Sequence, residues 1–243
     1  MMESPETYCA SSYWLARPES AEDCARRAER FFQLLERCDP AWTRWYQTAN
    51  SFEKARERPF TPNAASFQTL FGTQAKRGEE EFSFHLWTGD RPEETSGVDG
   101  MCGSAEAVLA SHCILRPFDD GPVGERLLTA PHMAEALRAM VLSWDPEWGV
   151  VTSETHRQVA VKDFPHPGTF VGWVMYFSRS RGPVPLLPAP VRLEPVEDKG
   201  TLVILTPERF SASTPEHVAL AARVHALLDR AGLLRRLQPW PVG

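Results

Sequence analysis

The sequence predicts an α+β fold, with a mostly antiparallel sheet of about six strands and helices packed against it. Three observations carry this expectation. Phe170 to Ser178 and Gly200 to Leu205 are apolar on both alternating faces, the mark of strands covered on both sides. Amphipathic helical patterns occur both before and after these stretches. The proline-rich link 183–190 is too short for a crossover helix, so the last strands are expected to pair antiparallel.

In chain order, residues 1–18 read as irregular, with Tyr13-Trp14 anchored on the body. Ser20 is an N-cap before the acidic turn Glu22-Asp23, and Cys24, Ala28, Phe31, Phe32, Leu35 and Cys38 recur at helical spacing. Asp39-Pro40 ends that helix and caps a short second one carrying Trp42 and Trp45. Thr61-Pro62 opens a third, with Phe67, Leu70 and Phe71 inward and Gly72 as its stop. This helical part spans 19–75. Phe82 to Trp87 alternates as a strand, residues 88–104 read as a long Gly- and acid-rich loop, 107–115 as a strand and 117–128 as a loop. Pro131 starts a helix burying Met133, Leu137, Met140, Val141 and Trp144. Strands are expected near 148–153, 157–162, 170–178, 190–196 and 200–206. The last helix starts at Thr214-Pro215, buries Leu220, Val224, Leu227, Leu228 and Ala231, and stops at Gly232. The whole chain, 1–243, is expected to form one domain, with 80–237 holding the sheet and two helices.

A chain of 243 residues buries roughly 70% of its unfolded surface and needs no staples. The net charge of −6 argues against direct nucleic-acid binding, which requires clustered Lys and Arg, and is compatible with a basic protein partner. Met1 to Pro5 shows no basic or apolar leader pattern, and no run approaches the ~18 apolar residues of a membrane span. Five cysteines, an odd number without metal-motif spacing, read as reduced thiols in a cytoplasm.

Signatures of chemistry are absent from the pattern. The seven histidines form no His-x-x-x-His pair, and His112-Cys113 point to opposite faces of a strand, so no metal is expected. There is no Gly-x-Ser-x-Gly elbow. Gly97, Gly100 and Gly103 match neither dinucleotide nor Walker spacing, so no cofactor is expected. Cys24 and Cys38 read as small hydrophobes on a helix, and Cys102 as a loop residue.

The acidic set Glu79, Glu80, Glu81, Asp90, Glu93, Glu94 and Asp99 surrounds one strand and its loop. A charge run of this kind is usually a solvated rim. Its functional reading is a negative surface for a basic partner, with Trp87 beside it as an interface anchor. Trp148, next to Gly149, is a second candidate anchor. Most of the eight tryptophans read as core.

With these pieces placed, the chain resembles the immunity protein 52 family. The carrying residues are Tyr13-Trp14 with Arg17, Phe31-Phe32 with Leu35, Trp87-Thr88-Gly89, Asp145-Pro-Glu-Trp-Gly149, Gly172-Trp173 with Tyr176 and Ser178-Arg179, and Gly200-Thr-Leu-Val-Ile204. They run from near residue 8 to near 237. Thr88 stands where the family pattern has asparagine. The resemblance implies a non-enzymatic antidote of a bacterial polymorphic-toxin system. It would bind a secreted toxin, often one delivered by type VI secretion, and protect the producer and its kin. It further implies a nuclease toxin of the restriction-endonuclease fold. Two other classes compete with it: a small-molecule enzyme or binding domain with a pocket between helices and sheet, and an assembly component of a secretion apparatus.

Overall fold

The computed structural model describes residues 6–89, 91, 95–106, 111–161 and 169–237. Among them, ten strands form one antiparallel sheet. They are β1 (Tyr8–Trp14), β2 (Trp45–Gln47), β3 (Pro59–Phe60), β4 (Phe82–Thr88), β5 (Ser96–Cys102), β6 (Ser111–Arg116), β7 (Trp148–Ser153), β8 (Val174–Ser178), β9 (Arg192–Val196) and β10 (Gly200–Ile204). The order is β3-β2-β4-β5-β6-β1-β7-β8-β10-β9. The helices are α1 (Ala21–Cys38), α2 (Phe52–Arg56), α3 (Ala64–Lys76), α4 (Gly121–Leu127), α5 (Ala130–Trp144), α6 (Glu154–Val161) and α7 (Pro215–Arg230).

The helix starts follow from local chemistry. Side chains of Ser20, Asn63 and Thr129 accept from backbone N–H groups that a first turn leaves unpaired. α1 lies between α3 and α5, and α5 runs across β1, β7, β8 and β10. The space between this layer and the sheet is filled by rings. Phe32 packs edge-on to Trp45 and Phe84 and stacks on Phe67, while Trp14 stacks on Trp144 at 5.3 Å. Phe32, Phe67, Phe84, Trp14 and Trp144 are each at most 2% exposed. These rings occupy part of the space in which the competing small-molecule reading places its pocket.

Several expectations are corrected. The sheet has ten strands, not about six. Residues 8–14 are a central strand, not irregular chain, paired to β6 on one side and β7 on the other. The stretch 88–104 is not one loop, because it contains β5, whose glycines leave room for aromatic rings. A Cβ on Gly100 would lie 2.3 Å from the Phe84 ring. Cys102 is accordingly buried at a strand end. Trp42 sits in a 3-10 turn, Pro40–Trp42, and Trp45 in β2, which pairs with β3 and β4 at the sheet edge. α3 begins after Asn63 and passes through Gly72 to Lys76, because the chain turns out only at Gly78, with φ 80°. Residues 121–127 are helical behind the Asp120 cap, and of the strand expected over 157–162, residues 157–161 belong to the helix α6 while 162 lies outside the described residues. In α7, Leu220, Val224 and Leu228 are buried, whereas Leu227 is half-buried and Ala231 exposed. The expected strand over 107–115 is observed as β6, and 107–110 lie outside the described residues. The antiparallel pairing of the last strands holds, with β10 between β8 and β9.

Candidate functional site on the open face of the sheet

Alternation decides which residues the helices cover and which they leave open. On β4, β5 and β6, Phe82, Phe84, Leu86, Val98, Cys102, Cys113 and Leu115 face the helical layer and are buried. The intervening residues form three rows on the other face. One row is Ser83, Met101, His112, Tyr13 and Trp148, in register across five strands. The next is His85, Asp99, Ile114, Ser11 and Val150. In the third, Trp87 faces Gly97, Gly97 faces Arg116, and Cys9 faces Thr152.

From β4 to β6 every one of these residues is half-buried or exposed, and Tyr13 and Cys9 on β1 are half-buried. The face closes at β7, where Phe170 packs edge-on against Trp148 at 5.4 Å. Tyr13 stacks on Trp148 at 5.6 Å and lies 6.4 Å from His112. The Trp87 ring covers Gly97, its Cδ1 lying 3.9 Å from where a Cβ would be.

An ionic cluster occupies the middle of this face. Asp99 bonds His85 Nδ1 at 2.5 Å through one oxygen and the Arg116 guanidinium through the other. His85 and Arg116 remain more than half exposed, at 58% and 57% of their side chains. Beside the cluster, over β6, β1 and β7, runs a groove of about 480 Å³. Ser11, Ile114 and Val150 line it, with Tyr13 and Arg116 of the sheet and Arg157 of α6.

The acidic residues singled out in the sequence do not form one continuous loop. Glu79 and Glu80 are exposed and Glu81 half-exposed in the turn before β4. Trp87 lies near the other end of that strand, roughly 20 Å away at ~3.3 Å per residue. Asp99 sits between the two ends, already bonded to His85 and to the Arg116 guanidinium. Asp90, Glu93 and Glu94 lie outside the described residues. Trp148 is 3% exposed, a core residue rather than an anchor. Sequence reasoning missed Tyr13, Met101, His112, Ile114 and Arg116. The alternation of Ser111–Arg116 is visible in the sequence, but that of β5 is obscured by its glycines.

Some of the residues that carry the family resemblance meet at the end of α5, where Arg27 and Lys199 join them. Arg17 donates to the Trp144 carbonyl at 2.8 Å, and Arg27 donates to the Ser143 carbonyl at 2.9 Å and to Asp145 at 3.0 Å. Two guanidinium groups thus satisfy the open carbonyl end of α5. Asp145 takes the left-handed conformation that ends the helix, with φ 48°, and Lys199 bonds its carboxylate. Burial opposes the ionisation of Asp145, but Lys199 and Arg27 outweigh it and hold the carboxyl below the usual range. A Cβ on Gly200 would lie 2.2 Å from the Phe177 carbonyl oxygen, and one on Gly172 would lie 2.5 Å from that of Val151. At the Trp87-Thr88-Gly89 corner, the buried Thr88 hydroxyl donates to the Ala41 carbonyl at 2.8 Å.

Other polar features are also structural. Arg181 is 3% exposed and donates to the Leu233 carbonyl at 2.8 and 3.1 Å and to that of Arg235. Burial and the nearby Arg235 charge lower its pKa to about 10. His156 is buried, bonded to the Val171 carbonyl at 2.9 Å, and burial lowers its pKa. Among the described residues, no group of three or more His, Cys, Asp or Glu is arranged to hold a metal ion, and no helix is long and apolar enough to cross a membrane.

Comparison with known proteins fits this geometry. No curated protein matches the chain. Among solved structures, it is similar to one described as Pseudomonas aeruginosa T6SS protein PA0821, with a TM-score of 0.54 and 12% identity over 95% of this chain and 77% of that one. At that identity the likeness concerns the fold alone. A family model described as Immunity protein 52 matches residues 6–237, nearly the whole length, and the chain therefore belongs to the immunity protein 52 family.

Proposed function

We propose that this protein binds a cognate secreted toxin through the open face of its sheet and neutralises it by occluding the toxin's active cleft or the approach to it. The open face carries the reading. Among the described residues of this immunity-family chain, one face of β4 to β6 and part of β1 stays half-buried or exposed, and it presents Tyr, Trp, Met and Arg, the residue types enriched where proteins meet. The face measures roughly 20 Å on a side, about half of the ~800 Å² that each partner contributes to a standard interface. The acidic turn at Glu79–Glu81 and the helix α6 flank it and supply further area.

Finer features of the reading rest on the resemblance and on charge. A nuclease of the restriction-endonuclease fold is the toxin class the resemblance implies. Its phosphate-holding cleft is positive, and the net charge of −6 with exposed Glu79 and Glu80 complements such a surface. The similar Pseudomonas structure is that of a T6SS protein, which supports delivery of the toxin by type VI secretion. Inhibition by occlusion requires binding alone and no catalysis, cofactor or metal of this chain, and it would take place in the cytoplasm of the protected cell.

The test begins with affinity capture of the tagged protein, followed by purification of the stoichiometric partner as a recombinant domain. Coexpression with that domain is expected to restore growth, and the two proteins to bind directly. Charge reversal at Glu80, Glu93 and Glu94 is expected to slow association and make protection more sensitive to salt. Unchanged protection by the triple variant would remove the acidic residues from the interface. A partner that is neither toxic nor bound directly would refute the immunity reading itself.

A further inference from the structure

Arg116 leaves the open face as the last residue of β6, and Arg157 projects from α6, which follows β7 directly. Both side chains line the same groove, whose floor includes Cys9 and Tyr13. Neither is spent by its partner. Asp99 bonds one nitrogen of Arg116. Glu154 meets Arg157 through a single 3.2 Å contact on an exposed helix turn. An arginine carries five N–H donors in a planar fork, so each keeps donors to offer. The hydroxyls of Ser11 and Tyr13 line the same groove.

We propose that this groove receives a carboxylate-bearing segment of the partner protein, seated between Arg116 and Arg157; this rests on the toxin-binding reading of the same face. The chemistry selects the occupant. A carboxylate matches a guanidinium fork in bidentate geometry, and a groove of about 480 Å³ is large enough to take an inserted side chain with the backbone beside it. Asp119 and Glu154 also line the groove. An extended polyanion such as a nucleic-acid backbone would meet both carboxylates along the groove, whereas a single carboxylate needs only the remaining donors of the two guanidinium groups. The neighbouring half-buried Tyr13 ring, held by its stack on buried Trp148, gives that peptide an apolar surface to lie on.

Two probes separate this proposal from the reading it rests on. In the first, the full chain is titrated with glutarate and with its neutral analogue glutaramide, and the backbone amides are followed by NMR. Glutarate is expected to shift Cys9, Ser11 and Thr152, and glutaramide to leave them in place. The double variant Arg116→Gln/Arg157→Gln is expected to weaken the glutarate response about tenfold. Both side chains are more than half exposed, so the variant should keep the wild-type melting temperature. Equal shifts with glutaramide, or an unchanged response in the variant, would overturn the anion site. In the second, the purified toxin domain is bound to wild type and variant. A loss of about tenfold or more supports a segment in the groove. Wild-type affinity in a variant that has lost glutarate binding would overturn the partner segment and leave toxin binding intact. A wild-type protein that responds to glutarate but binds no toxin would instead remove the immunity reading and with it the partner.

Discussion

At the scale of single residues, the buried carboxylate of Asp39 is held by pairing. The Asp39 carboxylate, with a side chain only 2% exposed, caps the Pro40–Trp42 turn through the Ala41 N–H and accepts two bonds from Arg126 at 2.8 and 2.9 Å. Burial opposes its ionisation, but the Arg126 pair and the backbone bond prevail and hold the carboxyl below the usual range. A depressed folded pKa means that this stability is fully present above the unfolded value of about 4 and is lost as pH falls through the folded one. Thermal melts of wild type and Asp39→Asn should therefore differ near neutral pH, with wild type higher, and converge as pH drops well below 4. Melts that stay parallel down to pH 2 would show that Asp39 is not the titrating group. Part of this is legible in the sequence, where Asp39-Pro40 ends one helix and caps the next turn. Arg126 could not be foreseen as its partner, because it comes from 87 residues away.

At the scale of elements, β1 holds the sheet together. Strands β4 to β6 come from residues 82–116 and β7 to β10 from 148–204, and β1 is hydrogen-bonded to both groups. A proline within it removes a ladder bond and leaves a buried carbonyl unpaired on one side or the other. Ser12→Pro should cost roughly 3 kcal/mol or more by urea denaturation. A loss below about 1 kcal/mol would mean that β1 does not join the halves. Why the sequence hides this strand is physical. Tyr8 to Trp14 reads Tyr-Cys-Ala-Ser-Ser-Tyr-Trp, and its middle is small because Ser12 and Ala10 pack beneath α5, where bulk would not fit. β5 is hidden for the same reason, its Gly100 lying under Phe84. Helices α1, α5 and α7 are legible because their caps and apolar spacing are local signals, whereas the glycine-rich strand and the small-residue strand take their meaning only from what packs on them.

At the scale of the whole molecule, α1 and α5 lie in the layer over one face of the ten-stranded sheet, and among the described residues the other face is half-buried or exposed from β4 to β6 and at Cys9 and Tyr13 of β1. The fold class, the antiparallel pairing and the family are readable from the sequence. The bare face is not, because its members are contributed by four strands separated by up to about 100 residues, and only the register brings Tyr13, Met101 and His112 into one row. Of the acidic set and Trp87, only Asp99 and Trp87 lie on the open face, on β5 and β4, and the other described members sit at the rim. The most direct measurement is hydroxyl-radical footprinting of the protein alone and bound to its purified toxin. The account predicts strong protection of Tyr13, Trp87, Met101 and His112, with exposed Leu186, in the link between β8 and β9, and Val218, on α7, unchanged. Protection confined to Leu186, Val218 or the helical layer, with Trp87 and Met101 oxidised as in the free protein, would contradict it.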